Sequence, residues 1–302
     1  MSKNQRQRKP KQSQTIYYTV KEQTKLLPFL LETMSNRSRN SVKSILARGQ
    51  VTIDDQIETQ FDYLLHPGQT VAILKNKAAV KRSALIGMEI LHEDEDVIVI
   101  NKEAGLLSIA TDKEKHRTAH HQLMEHVRHE NPQNRVFVVH RLDKDTSGVM
   151  MFAKNETAKR TLQNAWKEKV AARTYVALVE GEVAKEKGYI SSWLRESKTH
   201  LMYSSSTPND GLHAMTHYEK LQGNQDFSLL KVELETGRKN QIRVHMQDLG
   251  FPVVGDKKYG SKTNKVRRLG LHAMVLAFEH PKTGEQLRFE TEVPQIFLSV
   301  SK

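Results

Sequence analysis

A dense polar loop is held between two short apolar runs near the middle of the chain. Phe137-Val138-Val139 leads into His140-Arg141-Leu142-Asp143-Lys144-Asp145-Thr146-Ser147-Gly148, and Val149-Met150-Met151-Phe152-Ala153 leads out. Apolar runs of this length, bounded by polar and turn residues, predict two buried strands. Loops carried between rigid strands are where binding and catalytic side chains concentrate. Taken alone, this one fits a solvated turn and a catalytic segment equally well.

Composition narrows the partner. At 302 residues the chain has room for one large and one small domain. Lys and Arg number 47 against 35 Asp and Glu, a net charge of +12. Such an excess favours a polyanionic partner, nucleic acid ahead of an anionic membrane. Cysteine is absent, which excludes disulfides, thiolate metal sites and cysteine nucleophiles. The N-terminus has no apolar signal core, and no apolar run approaches the ~18 residues of a membrane span. The chain reads as a soluble cytoplasmic protein.

Residues 1–14 carry Lys3, Arg6, Arg8, Lys9 and Lys11 and no acid, which predicts a disordered basic arm. Leu26, Leu27, Leu30 and Leu31 then recur at helical spacing, with Pro28 in the first turn, where its missing N–H costs nothing. A second helix runs through Ser41, Val42, Ile45 and Leu46 and stops at Gly49. Val51-Thr52-Ile53 and Val71-Ala72-Ile73-Leu74 read as strands. Arg37, Arg39, Lys43 and Arg48 gather on or near the second helix. They make either a phosphate-binding face or an ordinary solvated one. The pattern from Leu26 to Leu31, Ser38-Arg39, Arg48-Gly49-Gln50-Val51-Thr52-Ile53-Asp54-Asp55 and Pro67-Gly68-Gln69-Thr70-Val71 resembles the S4 RNA-binding domain. It departs from that pattern at two turns, Asp54-Asp55 for Asn-Gly and Gly68-Gln69 for Gly-Asp. The expected organisation is a basic arm (1–14), an S4-like RNA-binding domain (15–76), a linker (77–86) and a larger domain (87–302).

In the larger domain, Ile90-Leu91 and Val97 to Ile100 predict strands around the acidic turn Glu93-Asp94-Glu95-Asp96. Ala119 to His129 predicts a helix rich in histidine. His126 and His129 lie one turn apart, but without cysteine, an HExxH pattern or a carboxylate partner they read as polar-face residues, and no metal is expected. Glu156 to Glu168 predicts a helix, and Arg173 to Gly181 an alternating strand. The polar stretch Lys185 to Asp210 reads as an exposed loop-like insertion. Ala214 to Tyr218, Ser228 to Leu234, Leu271 to Phe278 and Leu287 to Phe289 predict further strands. Between them, Thr236-Gly237-Arg238 is a turn entering a helix that carries Arg243 and His245.

No GxxxxGK[ST] cradle, strand-borne GxGxxG or GxSxG elbow occurs, so ATP-driven, nicotinamide and esterase chemistry lack support. A carboxylate in a His- and Arg-rich setting remains. A neighbouring arginine favours the ionised form of an Asp, which suits a nucleophile better than an acid. A structural salt bridge uses the same residues.

Four collinear segments break that tie. His140-Arg141-Leu142-Asp143-Lys144-Asp145-Thr146-Ser147-Gly148 resembles the HRLDxxTSG motif of RluA-type pseudouridine synthases. Asn101-Lys102-Glu103-Ala104-Gly105-Leu106 resembles their NKPxGL segment, and Arg173-Thr174-Tyr175-Val176-Ala177 their [KR]xYxA strand. Thr236-Gly237-Arg238-Lys239-Asn240-Gln241-Ile242-Arg243-Val244-His245 resembles their TGRxHQIRxH helix entry. Gly250 to Gly260 and Leu271-His272-Ala273 extend the likeness, which runs roughly from Ile90 to Phe297. Glu103 stands where the family has Pro, and Asn240 where it has His.

The resemblance implies an α+β fold: a mixed, mainly antiparallel central sheet preceded by a small S4-like αβ RNA-binding domain. It implies isomerisation of specific uridines in structured RNA, 23S rRNA first and tRNA second, by a monomer that uses no cofactor. Asp143 is the implied nucleophile, and attack at C1′, attack at C6 and elimination to a glycal all stay open. Arg243 is its implied ion-pair partner, Tyr175 faces the base, and Arg141 enters the space left by a flipped nucleotide. His140, Arg238, Gln241, Arg39, Lys43 and Arg48 are the other implied RNA contacts. Asp145 reads as structural. A non-catalytic RNA-binding protein, a membrane-surface protein and a metal-dependent nuclease are the competing readings. The first predicts decay of Asp143, Tyr175 and Arg243, the second an amphipathic basic helix, and the third a carboxylate cluster.

Overall fold

The computed structural model describes residues 15–47, 49–54, 56–73 and 85–302. The basic arm, Arg48, Asp55 and nearly all of the expected linker lie outside these residues. The chain divides into two compact units between Ala84 and Leu85.

The first unit is built from β1 (Ile16–Thr19), β2 (Thr24–Lys25), α1 (Leu26–Thr33), α2 (Arg39–Ala47), β3 (Val51–Ile53), β4 (Gln56–Ile57), β5 (Leu64–Leu65) and β6 (Thr70–Ile73). Four strands form an antiparallel sheet in the order β1-β6-β3-β4, and β2 pairs with β5. The helical leucines Leu26 and Leu30 meet Val42 and Leu46 of α2 and Val51 and Val71 of the sheet in one core. Pro28 lies in the first turn of α1. Gly49 has φ of 62° after α2, the left-handed stop that glycine allows. Asp54 also takes a left-handed φ of 48°. Its carboxylate accepts the Thr70 backbone N–H at 2.8 Å and the Gln69 amide at 3.0 Å. An Asp therefore serves in this turn both by tolerating the conformation and by anchoring β6.

The second unit starts with the hairpin β7 (Met88–Glu93) and β8 (Val97–Lys102), followed by α3 (Ala119–Glu130), β9 (Phe137–Val138) and β10 (Ser147–Ala153). Next come α4 (Glu156–Asn164), α5 (Trp166–Lys169), β11 (Ala172–Glu180), β12 (Lys187–Glu196), β13 (Met202–Ser205), β14 (Leu212–Gly223) and β15 (Phe227–Leu234). The unit closes with α6 (Gln241–Asp248), β16 (Leu271–Glu279), β17 (Gln286–Glu290) and α7 (Gln295–Val300). Among the described residues these strands make one eleven-stranded mixed sheet, in the order β13-β12-β14-β15-β11-β16-β10-β8-β7 with β9 and β17 attached to its side.

The sheet has two halves, and every neighbouring pair in it is antiparallel except β10 with β16. That parallel pairing is two residues long, Ser147 opposite His272 and Gly148 opposite Ala273. Gly148 has φ of 112°, and a Cβ there would lie 2.1 Å from the Ala273 carbonyl oxygen. Only glycine lets the strands approach this closely. On one face Ile98, Ile100, Met150 and Phe152 pack against Leu123 and Val127 of α3. On the other Val97, Val99, Val149 and Met151 pack against Leu162 of α4. Burial on both faces explains why β8 and β10 are continuous apolar runs rather than alternating ones.

Three expectations are corrected. The apolar run before the loop yields only the two-residue β9, and it is half-buried because it pairs at the side of β10. The helix expected from Glu156 to Glu168 breaks at Ala165 into α4 and α5. Lys185 to Asp210 is not an exposed loop: it holds β12 and β13 at the edge of the sheet. Of β12 only Leu194 is fully buried, so an edge strand with one face in solvent reads as polar in composition.

Candidate active site

The loop from Arg141 to Thr146 is fastened through its own backbone. The Leu142 carbonyl accepts from the Ser108 hydroxyl at 2.7 Å. The Lys144 carbonyl accepts from the Gly105 N–H at 2.9 Å and from the Lys102 ammonium at 3.0 Å. Lys102 is fully buried and gives its other two protons to the carbonyls of Glu103 and Leu106, at 2.9 and 2.8 Å. Burial lowers this ammonium to about 8, and the charge of Asp145 pulls the other way. The Asn101 to Leu106 segment is thus a clamp on the loop. The Glu103 N–H donates to the Gly87 carbonyl at 2.8 Å, a bond that the family's Pro would lack.

Asp143 projects from the fastened loop with its side chain 37% exposed. Its Oδ2 accepts from Arg243 Nη1 at 3.0 Å and from Asn240 Nδ2 at 2.6 Å. Arg243 lies on α6, and its Nε and Nη2 make a two-pronged pair with Asp256 at 2.6 and 2.8 Å. The Asp256 side chain is 1% exposed. Burial opposes the guanidinium's charge, but the hydrogen bonds and charges of Asp256 and Asp143 outweigh it and raise its pKa. The Tyr259 ring lies under the guanidinium, 4.8 Å from Cζ to ring centre. A planar fork with a carboxylate on each side can rotate little, so Arg243 holds Asp143 in place.

Asp143, Lys144, Asn240, Arg243, Lys258 and Arg268 line an open pocket of about 520 Å³, together with Asp145, Asp256, Lys257 and neighbouring backbone. Tyr175 sits on β11 at a bulge that follows Thr174, where the register shifts against β16. Bulges re-aim side chains at such places. Tyr175 touches the cores of both halves of the sheet. Burial pushes its phenol up to about 12, against the pull of Arg173, while Asp143 adds to the rise. It is a neutral phenol at neutral pH.

The remaining residues separate. Arg141 is exposed, and its side chain has no partner among the described residues. Arg39 and Lys43 are exposed on α2; Arg48 lies outside the described residues. Arg238 is half-buried and donates from Nε to the His213 carbonyl. Two expected RNA contacts turn inward instead. His140 packs against Trp166 with its ring tilted and the centroids 5.1 Å apart, and its Nε2 accepts the Met151 N–H at 3.1 Å. Desolvation, with Arg173 nearby, lowers it to about 3, so it is a neutral packing residue. Gln241 is 2% exposed; its amide oxygen accepts from Thr236 and Arg238 and its nitrogen donates to Met215 and Thr216. It fixes the turn into α6 and has nothing left for RNA.

Sequence reasoning passed over Lys102, Asp256, Tyr259 and Arg268. Arg268 donates to the Ser147 hydroxyl at 2.6 Å and lines the same pocket as Asp143. The first three stand inside segments already singled out by pattern, which was the available signal; Arg268 had none.

Among the described residues Asp94, Asp96 and His280 come close enough to suggest a metal site. His280 Nδ1 accepts backbone N–H groups from Lys282 and Thr283, at 3.3 and 3.1 Å. The ring proton is therefore on Nε2, 3.2 Å from Asp94 Oδ2. A protonated nitrogen offers a cation no lone pair, so these three side chains do not make a ligand set.

The chain is similar to known proteins. Residues 96–248 match the RNA pseudouridylate synthase family model. The chain is 37% identical over 273 residues to the uncharacterized RNA pseudouridine synthase YlyB of Bacillus subtilis, covering 88% of this chain and 89% of that one. It is 32% identical to the ribosomal large subunit pseudouridine synthase D of Vibrio cholerae, covering 87% and 86%. Among solved structures, human RNA pseudouridylate synthase domain containing 1 superposes with a TM-score of 0.55 at 26% identity, over 70% of this chain and 85% of that one. No helix among the described residues is long and apolar enough to cross a membrane. The fastened loop, its carboxylate and the sheet behind them thus belong to a chain of the RNA pseudouridylate synthase family, isomerases that convert uridine to pseudouridine in RNA.

Proposed function

We propose that this chain isomerises specific uridines of large-subunit ribosomal RNA, with Asp143 as the nucleophile. The observation that carries this reading is a carboxylate on a backbone-clamped loop, held by Arg243 and Asn240 in an open pocket that also has Lys144, Lys258 and Arg268 in its wall. The large-subunit enzyme of Vibrio cholerae, similar over most of its length, points to 23S rRNA; tRNA is the second candidate.

In the reaction the N1–C1′ bond breaks, the uracil turns, and C5 bonds to C1′. C5 loses a proton and N1 gains one, so atoms and oxidation state are unchanged and no redox partner is required. Arg243 keeps Asp143 aimed through its 3.0 Å hydrogen bond. Tyr175, a neutral phenol, supports the base with its ring. A uridine in a stack must first leave it, at a cost of a few kcal/mol. Arg141, exposed and without a partner among the described residues, fills the gap. The first unit acts as the S4-like RNA-binding domain, with Arg39 and Lys43 facing phosphates. The enzyme works as a monomer in the cytoplasm, where its RNA is.

The test is pseudouridine mapping of total RNA from cells with and without the protein, and with Asp143→Asn in its place. Sites present with the wild type and missing with both the deletion and Asp143→Asn support the reading. Wild-type modification by Asp143→Asn overturns it.

A further inference from the structure

We infer that Asn240 is a positioning residue that selects which oxygen of Asp143 is presented to the nucleoside. The inference rests on Asp143 being the nucleophile, and it concerns a position where this chain departs from the family's histidine.

Asn240 precedes α6 with φ of 54° and ψ of 20°, a left-handed conformation that Asn tolerates better than most residues. An Asn at a helix start ordinarily turns its side chain back to accept a backbone N–H. This one makes no such bond. Its amide reaches outward, Nδ2 donating to Asp143 Oδ2 at 2.6 Å and Oδ1 accepting from the Tyr259 hydroxyl at 3.1 Å. The reverse amide orientation would set an oxygen against the carboxylate, so charge fixes this one.

Tyr259 is 1% exposed, and its hydroxyl also accepts the Met202 N–H at 3.2 Å. The phenol therefore has one direction left for its proton, and that direction is Asn240. The same ring lies under Arg243. One buried tyrosine thus supports both side chains that donate to Asp143. Both donors reach Oδ2. No donor among the described residues reaches Oδ1. Two charge-assisted hydrogen bonds draw electron density to Oδ2 and fix the carboxylate plane. Oδ1 is left without a donor among the described residues, on a partly exposed side chain that lines the pocket. On the C1′ route Oδ1 bonds to C1′ as the N1–C1′ bond breaks, and that O–C1′ bond breaks in turn when C5 joins C1′, which regenerates the carboxylate.

A histidine at position 240 could make the same two contacts but would titrate near 6.5. The amide does not titrate, so the donor set of this chain is the same across the neutral range. The groups facing position 240 are Asp143 from the loop, Arg243 from α6, and Tyr259 from the segment after α6.

The test compares Asn240→Gly, Asn240→His, Asn240→Asp and Tyr259→Phe in single-turnover and steady-state assays on the mapped RNA. Asn240→Gly keeps the left-handed backbone and removes both hydrogen bonds. It is expected to lower kcat by about 10- to 100-fold, as for loss of a hydrogen bond to a charged group, with KM within about twofold. Asn240→Asp keeps the shape but cannot donate; its loss should be at least as large and should ease as pH falls. Asn240→His should recover most of the rate and add a limb near pH 6.5 to the kcat profile. Tyr259→Phe should fall between Asn240→Gly and wild type. Wild-type kcat in folded Asn240→Gly or Asn240→Asp, or a loss confined to KM, overturns the inference. Should Asp143→Asn be active, the nucleophile assignment fails instead; an inactive Asp143→Asn beside an unimpaired Asn240→Gly removes this inference alone.

Discussion

Two carboxylate clusters in the larger unit use the same ingredients to different ends. At the turn between β7 and β8, Glu93 gives one oxygen to Lys154 and the other to His126, both at 2.7 Å. Asp94 accepts the Asp96 and Val97 N–H groups through Oδ1 and pairs with His92 through Oδ2. Every oxygen has a partner, and the cluster ties α3 and the end of β10 to the turn. Around Asp143 the partners are again cations and amides, yet Oδ1 has none. Carboxylate number and nearby charge do not distinguish the two clusters. A lone pair left open to a pocket does.

The comparison breaks most directly at Arg243. Arg243→Ala leaves Asp256 buried and unpaired, and losing one partner of such a pair costs roughly 3–5 kcal/mol. With each ~1.4 kcal/mol on the barrier worth tenfold, kcat should fall by about 100-fold or more, and the melting temperature should drop as well. Wild-type turnover in this variant would put both clusters in the structural class.

Acid separates the structural cluster from two buried histidines of neither cluster by window. His245 is held between the Thr216 and Ser192 hydroxyls, and His272 between Ser147 and Thr291. Burial lowers each to about 4. Between pH 6.5 and about 4 the unfolded chain binds these protons and the folded unit does not, so stability falls as pH falls through this range. Each histidine contributes roughly 2–4 kcal/mol of that loss. For Glu93 and Asp94 burial works against ionisation, but their hydrogen bonds prevail and lower both pKa values. Their contribution persists until pH drops below the ordinary carboxylate range and is lost as pH falls through their folded values. Chemical denaturation at pH 7, 5.5 and 4.5 should show the histidine loss first, and Thr291→Val with Ser192→Ala should alter that limb alone. A flat profile across these three values would refute it.

The smallest expected effect lies in the structural cluster. Lys154→Ala should cost about 1 kcal/mol, or about 2–4 °C in melting temperature, because Glu93 keeps its bond to His126 and some access to water. Its kcat should equal that of the wild type. A fall in kcat matching that of Arg243→Ala would erase the distinction drawn above.

Much of this was legible in the residues. The apolar runs of β8 and β10, the turn into α6 and the Asp143–Arg243 pairing followed from pattern and resemblance. Other parts were hidden for physical reasons. β12 lies at a sheet edge with one face in water, so its composition is polar. His140 and Gln241 carry polar atoms suited to RNA, but whether a polar atom faces a ligand or its own backbone depends on neighbours such as Met151 and Thr216, which spacing does not reveal. The clamp of Lys102 on Lys144 joins positions 42 residues apart through backbone carbonyls, which have no side-chain signature.

The two-residue parallel pairing of β10 with β16 carries a mechanical consequence. Asp143 hangs from one side of that seam, while Asn240 and Arg243 are mounted on the other, on α6 against β13 and β14. A shift of one residue along a strand is about 3.3 Å, as long as the hydrogen bond from Arg243 to Asp143 itself. The alignment tolerance of the reaction centre is therefore set by how little the two half-sheets can slip. Gly148, where no side chain fits, is the point at which that slip is stopped.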